Sequence, residues 1–272
     1  MLLIDAHVHI YDCFNIERFF DSAYANFKSA AEKLGHADDF TGILLLAETS
    51  KDNWFFHLCE YAGGKDLPDG KKAGEWKFYH TDENCSLIAK SDDIKKLVVI
   101  AGRQVVTAEG LEVLALGTEK NFKGRSTIKE LIQTVKEKNG IAVIPWGFGK
   151  WMGRRGESLR ELIEAAENGD FSLGDNGGRP FLMPNPYHFN LAKKKRIRIL
   201  PGSDPLPFRS EQKRVGSFGL SCRAKLNPNY PAQSTKNAIT DNKCTIYSYG
   251  SLERNIYFIS KQIRMQFKKR TR

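Results

Sequence analysis

Cysteine is scarce and unpatterned in this chain of 272 residues: Cys13, Cys59, Cys85, Cys222 and Cys244 are odd in number, far apart and never in a C-x-x-C pair. That spacing excludes a disulfide framework and a zinc ribbon. Long apolar runs are missing too. None reaches the ~18 residues of a membrane-spanning helix, and a charge already at Asp5 leaves no room for a secretory leader. A cytoplasmic protein is the expectation. Low-complexity tracts and internal repeats are absent. What remains is a globular composition, 41% hydrophobic, 27% charged and 11% aromatic, enough to bury a core without covalent staples.

Acidic residues run short only in the last third. Residues 193–272 hold 19 Lys and Arg against 4 Asp and Glu, a surplus of 15, whereas residues 1–192 carry a deficit of 5. Such a field suits nucleic acid, an acidic membrane surface or an acidic partner. Charged tails are common solvated features, so nucleic acid is not the favoured partner.

Strands and helices alternate along the first 204 residues. Leu2–Ile4 reads as a buried strand ending in Asp5-Ala6-His7-Val8-His9, and 16–34 as a helix with Phe19, Phe20, Ala23, Phe27, Ala30 and Ala31 on one face, stopped by Gly35. A strand over 42–47 ends at Glu48 and Thr49, and a hairpin over 74–90 interrupts the pattern. Strands follow at 97–102 and 111–117, a helix over 126–138 capped by Ser126, a strand over 141–144 running into Pro145-Trp146, a helix over 157–168, a strand near 171–173, and another over 196–200 that leads into Gly202-Ser203-Asp204. Strands alternating with helices, each strand ending in polar residues, predict a parallel α/β barrel with its chemistry at the strands' carboxyl ends. The stripe Leu252, Ile256, Ile259, Ile263 and Phe267 predicts a terminal helix packed on the barrel, with Lys268–Arg272 as a basic tail. The domains expected are therefore a barrel over 1–215 and an extension over 216–272.

His7 and His9 carry the most specific chemistry. Side chains at i and i+2 on an extended segment point the same way and can hold one metal ion together. An arbitrary H-x-H is more often a pair of core or surface histidines, but placement directly after an apolar first strand, with Gly-Ser-Asp after the last, favours ligation.

Five segments, Asp5–His9, Leu45–Thr49, Ile100–Thr107, Leu111–Gly117 and Leu200–Asp204, together resemble in order the motifs of the PHP (polymerase and histidinol phosphatase) family. The resemblance implies a distorted TIM-like (β/α)7 barrel, here with a basic C-terminal extension, two or three metal ions at the strand ends, and phosphoester hydrolysis. His7, His9 and Asp204 fall on ligand positions. The family's bridging glutamate is Gln104 here, in Gly102-Arg103-Gln104. Its next-strand histidine is Glu112, its Thr-Asp-His turn is Ala47-Glu48-Thr49, its His-Pro is Pro145-Trp146, and the histidine after Gly-Ser-Asp is Leu206. Without the bridging carboxylate, two cations ~3.5–4 Å apart lose the charge between them, so a single divalent ion, Zn, Mn or Fe, is expected on His7, His9 and Asp204, with neutral Gln104 beside it.

Around that centre, Glu48 or Glu112 is the candidate general base or auxiliary ligand, and Arg103 the candidate stabiliser of developing charge. The glycine-rich loop 147–156 offers Arg154 and Arg155 to an anionic substrate, or simply to solvent. Trp146 either stacks a substrate ring or fills the space of an absent ligand. Asp175 is a site acid or an Asx turn, with Arg179 able to pair with it. The function expected is metal-dependent hydrolysis of a phosphoester or similar small anionic substrate; the alternative is a degenerate barrel that binds an anion or a partner without catalysis.

Overall fold

The computed structural model describes residues 1–37, 39–92, 94–122, 124–167 and 169–270. In chain order the elements are β1 (Leu2–Val8), α1 (Ile16–Lys33), β2 (Thr41–Leu46), α2 (Trp54–Ala62), β3 (Lys77–His80), β4 (Ser86–Ser91), β5 (Lys95–Ile100), β6 (Gly102–Val106), β7 (Glu112–Leu116), α3 (Ile128–Glu137), β8 (Ile141–Pro145), α4 (Gly153–Ala165), β9 (Ser172–Asn176), α5 (Tyr187–Lys194), β10 (Ile199–Gly202), β11 (Phe218–Cys222), α6 (Pro231–Thr240), β12 (Ile246–Gly250) and α7 (Asn255–Arg270). The described strands form two sheets, ordered β12-β11-β1-β2-β5-β4-β3 and β10-β9-β8-β7-β6.

Strand β1 is buried on both faces. Leu3 and Val8 join the cluster under α1, where Phe19, Phe20 and Phe27 supply the helix's apolar stripe, while Leu2, Ile4 and Ala6 face the second sheet through Leu114, Val143 and Leu200. A third cluster fills the outer side of that sheet against α3, α4 and α5. The molecule is thus layered helix, sheet, interior, sheet, helix, which is the mixed α/β arrangement that alternating elements imply.

A closed ring of ladders does not form. The β6–β7 hairpin and the β11–β1 pairing are antiparallel, and among the described residues the two sheets meet at two seams made by isolated backbone hydrogen bonds rather than ladders. At one seam Glu48 N–H donates to Gly102 O (3.0 Å) and Gln104 N–H to Glu48 O (2.8 Å). At the other, Asp204 N–H donates to His7 O (2.9 Å). Each seam carries a glycine. A Cβ on Gly102 would lie 2.2 Å from Leu46 O, and one on Gly202 2.4 Å from the His7 nitrogen.

Several local readings change. The stretch after Ile100 is strand β6, so Arg103 and Gln104 sit on an edge strand rather than a loop. Helix α3 is capped by Thr127, not Ser126, through a capping box with Glu130. Helix α4 opens at Gly153 and ends at Ala165, so Arg154 and Arg155 belong to its first turn; Asn168, expected inside it, lies outside the described residues, as do Thr271 and Arg272 of the expected tail. Residues 218–250 add β11 and β12 to the sheet that contains β1, so the chain beyond 215 shares the main sheet.

The largest correction concerns α7. Its predicted inward stripe faces out: Ile256, Ile259, Ile263 and Phe267 are exposed. The helix is held instead by its opposite face. Lys261 pairs with Glu211 (3.0 Å) and Glu253, Arg214 pairs with Glu253, Arg264 lies 4.1 Å over the Phe208 ring, and Phe258 meets Phe148 edge-on. Buried acids at 211 and 253 take the basic residues inward, where desolvating a charge is offset by pairing.

Gly202→Ala should cost about 1–3 kcal/mol of stability, as overpacking against backbone does, read as a lower urea midpoint. Gly124→Ala, where nothing lies within 4 Å of the added Cβ, should change stability by less than ~0.5 kcal/mol. Equal midpoints for Gly202→Ala and wild type would show that β10 is not pressed against β1.

Candidate metal centre

Asp5, His7, His9 and Tyr11 continue one period of two along and beyond β1, and the β1–β2 register shifts between Asp5 and Val8, the irregularity that commonly re-aims side chains beside a site. His7 and His9 are buried, 5% and 3% exposed, with their Nε2 atoms 3.0 Å apart. Asp204 Oδ1 lies 3.6 Å from His7 Nε2 and 3.4 Å from His9 Nε2. Ligand atoms of these three residues all fall within 4.8 Å of one another. Gln104 Oε1 stands 3.3 Å from His7 Nε2.

Local backbone fixes these positions. Asp204 has φ +42°, a left-handed conformation that a non-glycine residue holds only where its surroundings impose it. Its N–H is tied to His7 O, and its Oδ2 accepts from the Asn176 amide. Asp5 is the clamp behind the ligands: its Oδ1 accepts from Ser203 N–H (2.8 Å) and His7 N–H (3.4 Å), and its Oδ2 from Gly216 N–H (2.8 Å). One carboxylate therefore joins β1, the turn after β10 and the entry to β11.

Protonation suits metal binding. Burial lowers His7 to about 4, leaving its imidazole neutral with a free lone pair at neutral pH. Burial alone would raise Asp204, but the two imidazoles facing it outweigh that and hold it well below the usual carboxylate range. The site also contains an orphan: His9 Nδ1 is buried with no hydrogen-bond partner among the described residues. Two inward-facing imidazoles 3.0 Å apart and an ionised carboxylate make a donor set that fits one divalent ion with an open position.

The other predicted residues divide. Glu112 lies near this centre, but its carboxylate is paired with Lys150. Glu48 is buried and its Oε1 accepts from Phe55 N–H (2.7 Å) at the start of α2, with Arg103 3.2 Å from Oε2. Burial raises its carboxyl, and those two partners oppose the shift. Arg103 also donates to Asp52 O and Asn53 Oδ1 (2.9 and 3.1 Å), so this pair braces the β2–β6 seam. Asp175 and Arg179 form a two-pronged pair (2.9 and 3.0 Å). Arg155 donates to Gly149 O (3.0 Å) and steadies the glycine-rich loop. Arg154 is exposed, and Trp146 is buried in the third cluster. Beside Gln104 a cleft of about 1040 Å³ opens between residues 48–53 and 103–108, with Lys51, Phe122 and Arg125 on its walls.

Three neighbours escaped the sequence reading. Tyr11 stacks on His9 with ring centres 5.4 Å apart, and burial together with Asp204 keeps its phenol protonated; the i+2 series from Asp5 was its signal. Asn176 positions Asp204 and follows Asp175 at the end of β9. Lys150 sits among glycines and arginines in its loop, and only the fold pairs it with Glu112.

Burial raises the Asp5 carboxyl to about 6, well above the usual carboxylate range. The folded state thus holds this proton more tightly than the unfolded chain, so the group stabilises at pH below ~4 and loses that contribution as pH rises through 6, by up to ~3 kcal/mol. Asp5→Asn removes the titration but turns an amide N–H₂ toward a backbone N–H, at a cost of about 1–3 kcal/mol. Urea unfolding of both proteins at pH 4 and pH 7 should show a smaller pH dependence in the variant; identical pH dependence would contradict this role.

No family profile and no curated protein sequence matches the chain. Solved structures do. PsfC from Pseudomonas syringae PB-5123 superposes with a TM-score of 0.57 at 16% identity, over 97% of this chain and 98% of PsfC. The lesion-specific endonuclease PfuEndoQ from Pyrococcus furiosus gives 0.54 at 12% identity, over 91% of this chain and 58% of the endonuclease. A two-domain protein from Bacteroides vulgatus ATCC 8482, containing a predicted PHP-like metal-dependent phosphoesterase, gives 0.44 at 12% identity, over 90% of this chain and 64% of its own. At these identities the first two likenesses are of fold: this chain shares the fold of PsfC and of part of PfuEndoQ.

Proposed function

We propose that the protein is a metal-dependent hydrolase of a phosphoester or related anionic substrate, using one divalent ion, Zn, Mn or Fe, in a PHP-type distorted barrel. The convergence of His7, His9 and Asp204, each from the carboxyl end of a buried strand, carries this reading. In it, β1, β2 and β6 to β10 are the seven barrel strands, with the glycine seams standing in for two ladders. PfuEndoQ, whose fold the chain shares, is an endonuclease, which is compatible with phosphoester chemistry.

A bound divalent ion supplies Lewis-acid polarisation and a more acidic water. His7 and His9 would hold it as neutral donors, Asp204 as the charged one, and Gln104 as a neutral oxygen. Lys150, whose charge is matched by Glu112, stands where a second cation would otherwise be required and would turn its remaining N–H donors toward oxygens of a phosphoryl group. Tyr11 covers His9 and limits water on that side. Glu48, with Arg103, keeps Gln104 in place across the β2–β6 seam. The cleft beside Gln104 receives the remainder of the substrate, with Lys51 and Arg125 suited to its negative charge.

Elemental analysis of protein purified without chelator should find near one equivalent of divalent metal. His7→Ala should weaken binding by more than ~100-fold, since even changes behind a ligand cost 10–100-fold. Gln104→Glu should raise both metal content and phosphoesterase rate. Metal-free wild type with an intact fold, or a Gln104→Glu variant that gains neither, would favour the alternative of a barrel that binds an anion without catalysis.

A further inference from the structure

The outward face of α7 has no use in the hydrolase reading. Ile256, Ile259 and Ile263 are 70%, 58% and 52% exposed, and their spacing sets them in one line along the helix. The patch continues beyond the helix. Phe181 N–H donates to Glu253 O (2.8 Å) and Leu182 N–H to Asn255 Oδ1 (3.3 Å), so the exposed Phe181 and Leu182 border the start of α7. Phe148, on the loop that also carries exposed Met152, packs on Phe258 on the held face of α7 and so lies outside this patch. Single exposed apolar residues need no explanation, but a contiguous patch marks an interaction surface.

Charge selects the partner. Residues 254–272 contain seven Lys and Arg and no acid. Arg254, just before α7, is exposed, as is Arg264 beside the Phe208 ring, and Arg154 is exposed at the start of α4 beyond the Met152 loop. A second copy of the helix would bring like charges together. No described helix is long and apolar enough to cross a membrane. An exposed apolar stripe on a helix whose own sequence is basic and carries no acid is the design of a helix lying in the headgroup region of an anionic bilayer.

We propose that the outward stripe of α7, with the adjoining 181–182 segment, docks the protein on an anionic lipid surface. Ile256, Ile259 and Ile263 enter the headgroup boundary, and the basic residues beside them meet lipid phosphates and carboxylates. The 181–182 segment follows β9, so docking brings the end of the molecule that carries the strands' carboxyl termini toward the membrane. The inference is independent of the hydrolase reading and stands or falls without any measurement of activity or metal.

The test is co-sedimentation of the full chain with phosphatidylcholine vesicles, with and without about 30% phosphatidylserine. Binding should be at least ~10-fold stronger with phosphatidylserine and fall in ~0.5 M salt. The double variant Ile259→Asp, Ile263→Asp should lose ~10-fold or more while melting at the wild-type temperature, because these side chains leave the core untouched. The single variant Ile263→Trp should show a blue-shifted emission, relative to wild type, on adding the anionic vesicles, a readout that survives if the double variant misfolds. Equal binding to both vesicle types, undiminished binding by the folded double variant, or no emission shift from the introduced indole would overturn the proposal. So would a concentration-dependent dimer that the double variant abolishes, which would assign the face to a second copy, or selective capture by acidic protein or nucleic acid with no vesicle binding.

Discussion

Everything distinctive about this molecule depends on how closely β10 approaches β1. With no side chain at Gly202, the backbone after β10 lies against the His7 backbone, and Asp204 N–H closes the gap by donating to His7 O. That contact sets the distance between a carboxylate and two imidazoles from strands nearly 200 residues apart. A methyl group at position 202 would have to push the strands apart, and the three ligating atoms would separate with them. Gly102 plays the corresponding part at β2, where close approach lets Gln104 reach the same centre.

Buried charge in this protein is placed under the same discipline. Asp5 accepts from three backbone N–H groups on three segments, Glu48 caps α2 and faces Arg103, and Glu211 and Glu253 draw Lys261 and Arg214 inward. Isolated, each acid would carry a desolvation cost larger than most single contacts return. Paired, each ties together elements that share little apolar surface. Asp5 links both sheets to the last third of the chain, and the Glu211–Glu253 group fastens α7 although that helix turns its apolar stripe away. Within the ligand cluster the pairing stays incomplete: His9 Nδ1 is buried with no hydrogen-bond partner among the described residues.

Much of the fold was legible because the signals were local. The amphipathic stripes of α1 and α3, the apolar run of β2 and the i, i+2 pair at His7 and His9 are properties of short windows. The convergence of His7, His9 and Asp204 was legible through strand endings. What was not legible depends on partners distant in sequence. Arg103 and Glu48 look like active-site groups in isolation, and only the β2–β6 seam makes them a brace. Lys150 finds Glu112 across the interior. β11 pairs with β1 across more than 200 residues of sequence, and α7 has the periodicity of a packed helix, but its Lys261 pairs with acids at 211 and 253 while its isoleucines face out. The mixed α/β arrangement was legible, but strand count predicts neither the antiparallel β6–β7 hairpin nor glycine contacts in place of ladders.

The central claim is that His7, His9 and Asp204 hold one ion and that Lys150 occupies the charge position of a second. X-ray absorption on protein loaded with zinc or manganese addresses it directly, since it counts imidazole donors and detects a neighbouring metal. The account predicts two imidazole nitrogens with oxygen completing the shell, no sulfur, and no metal scatterer at ~3.5–4 Å, the spacing of a two-metal site. A metal neighbour at that distance, or a shell with fewer than two imidazoles, would contradict it.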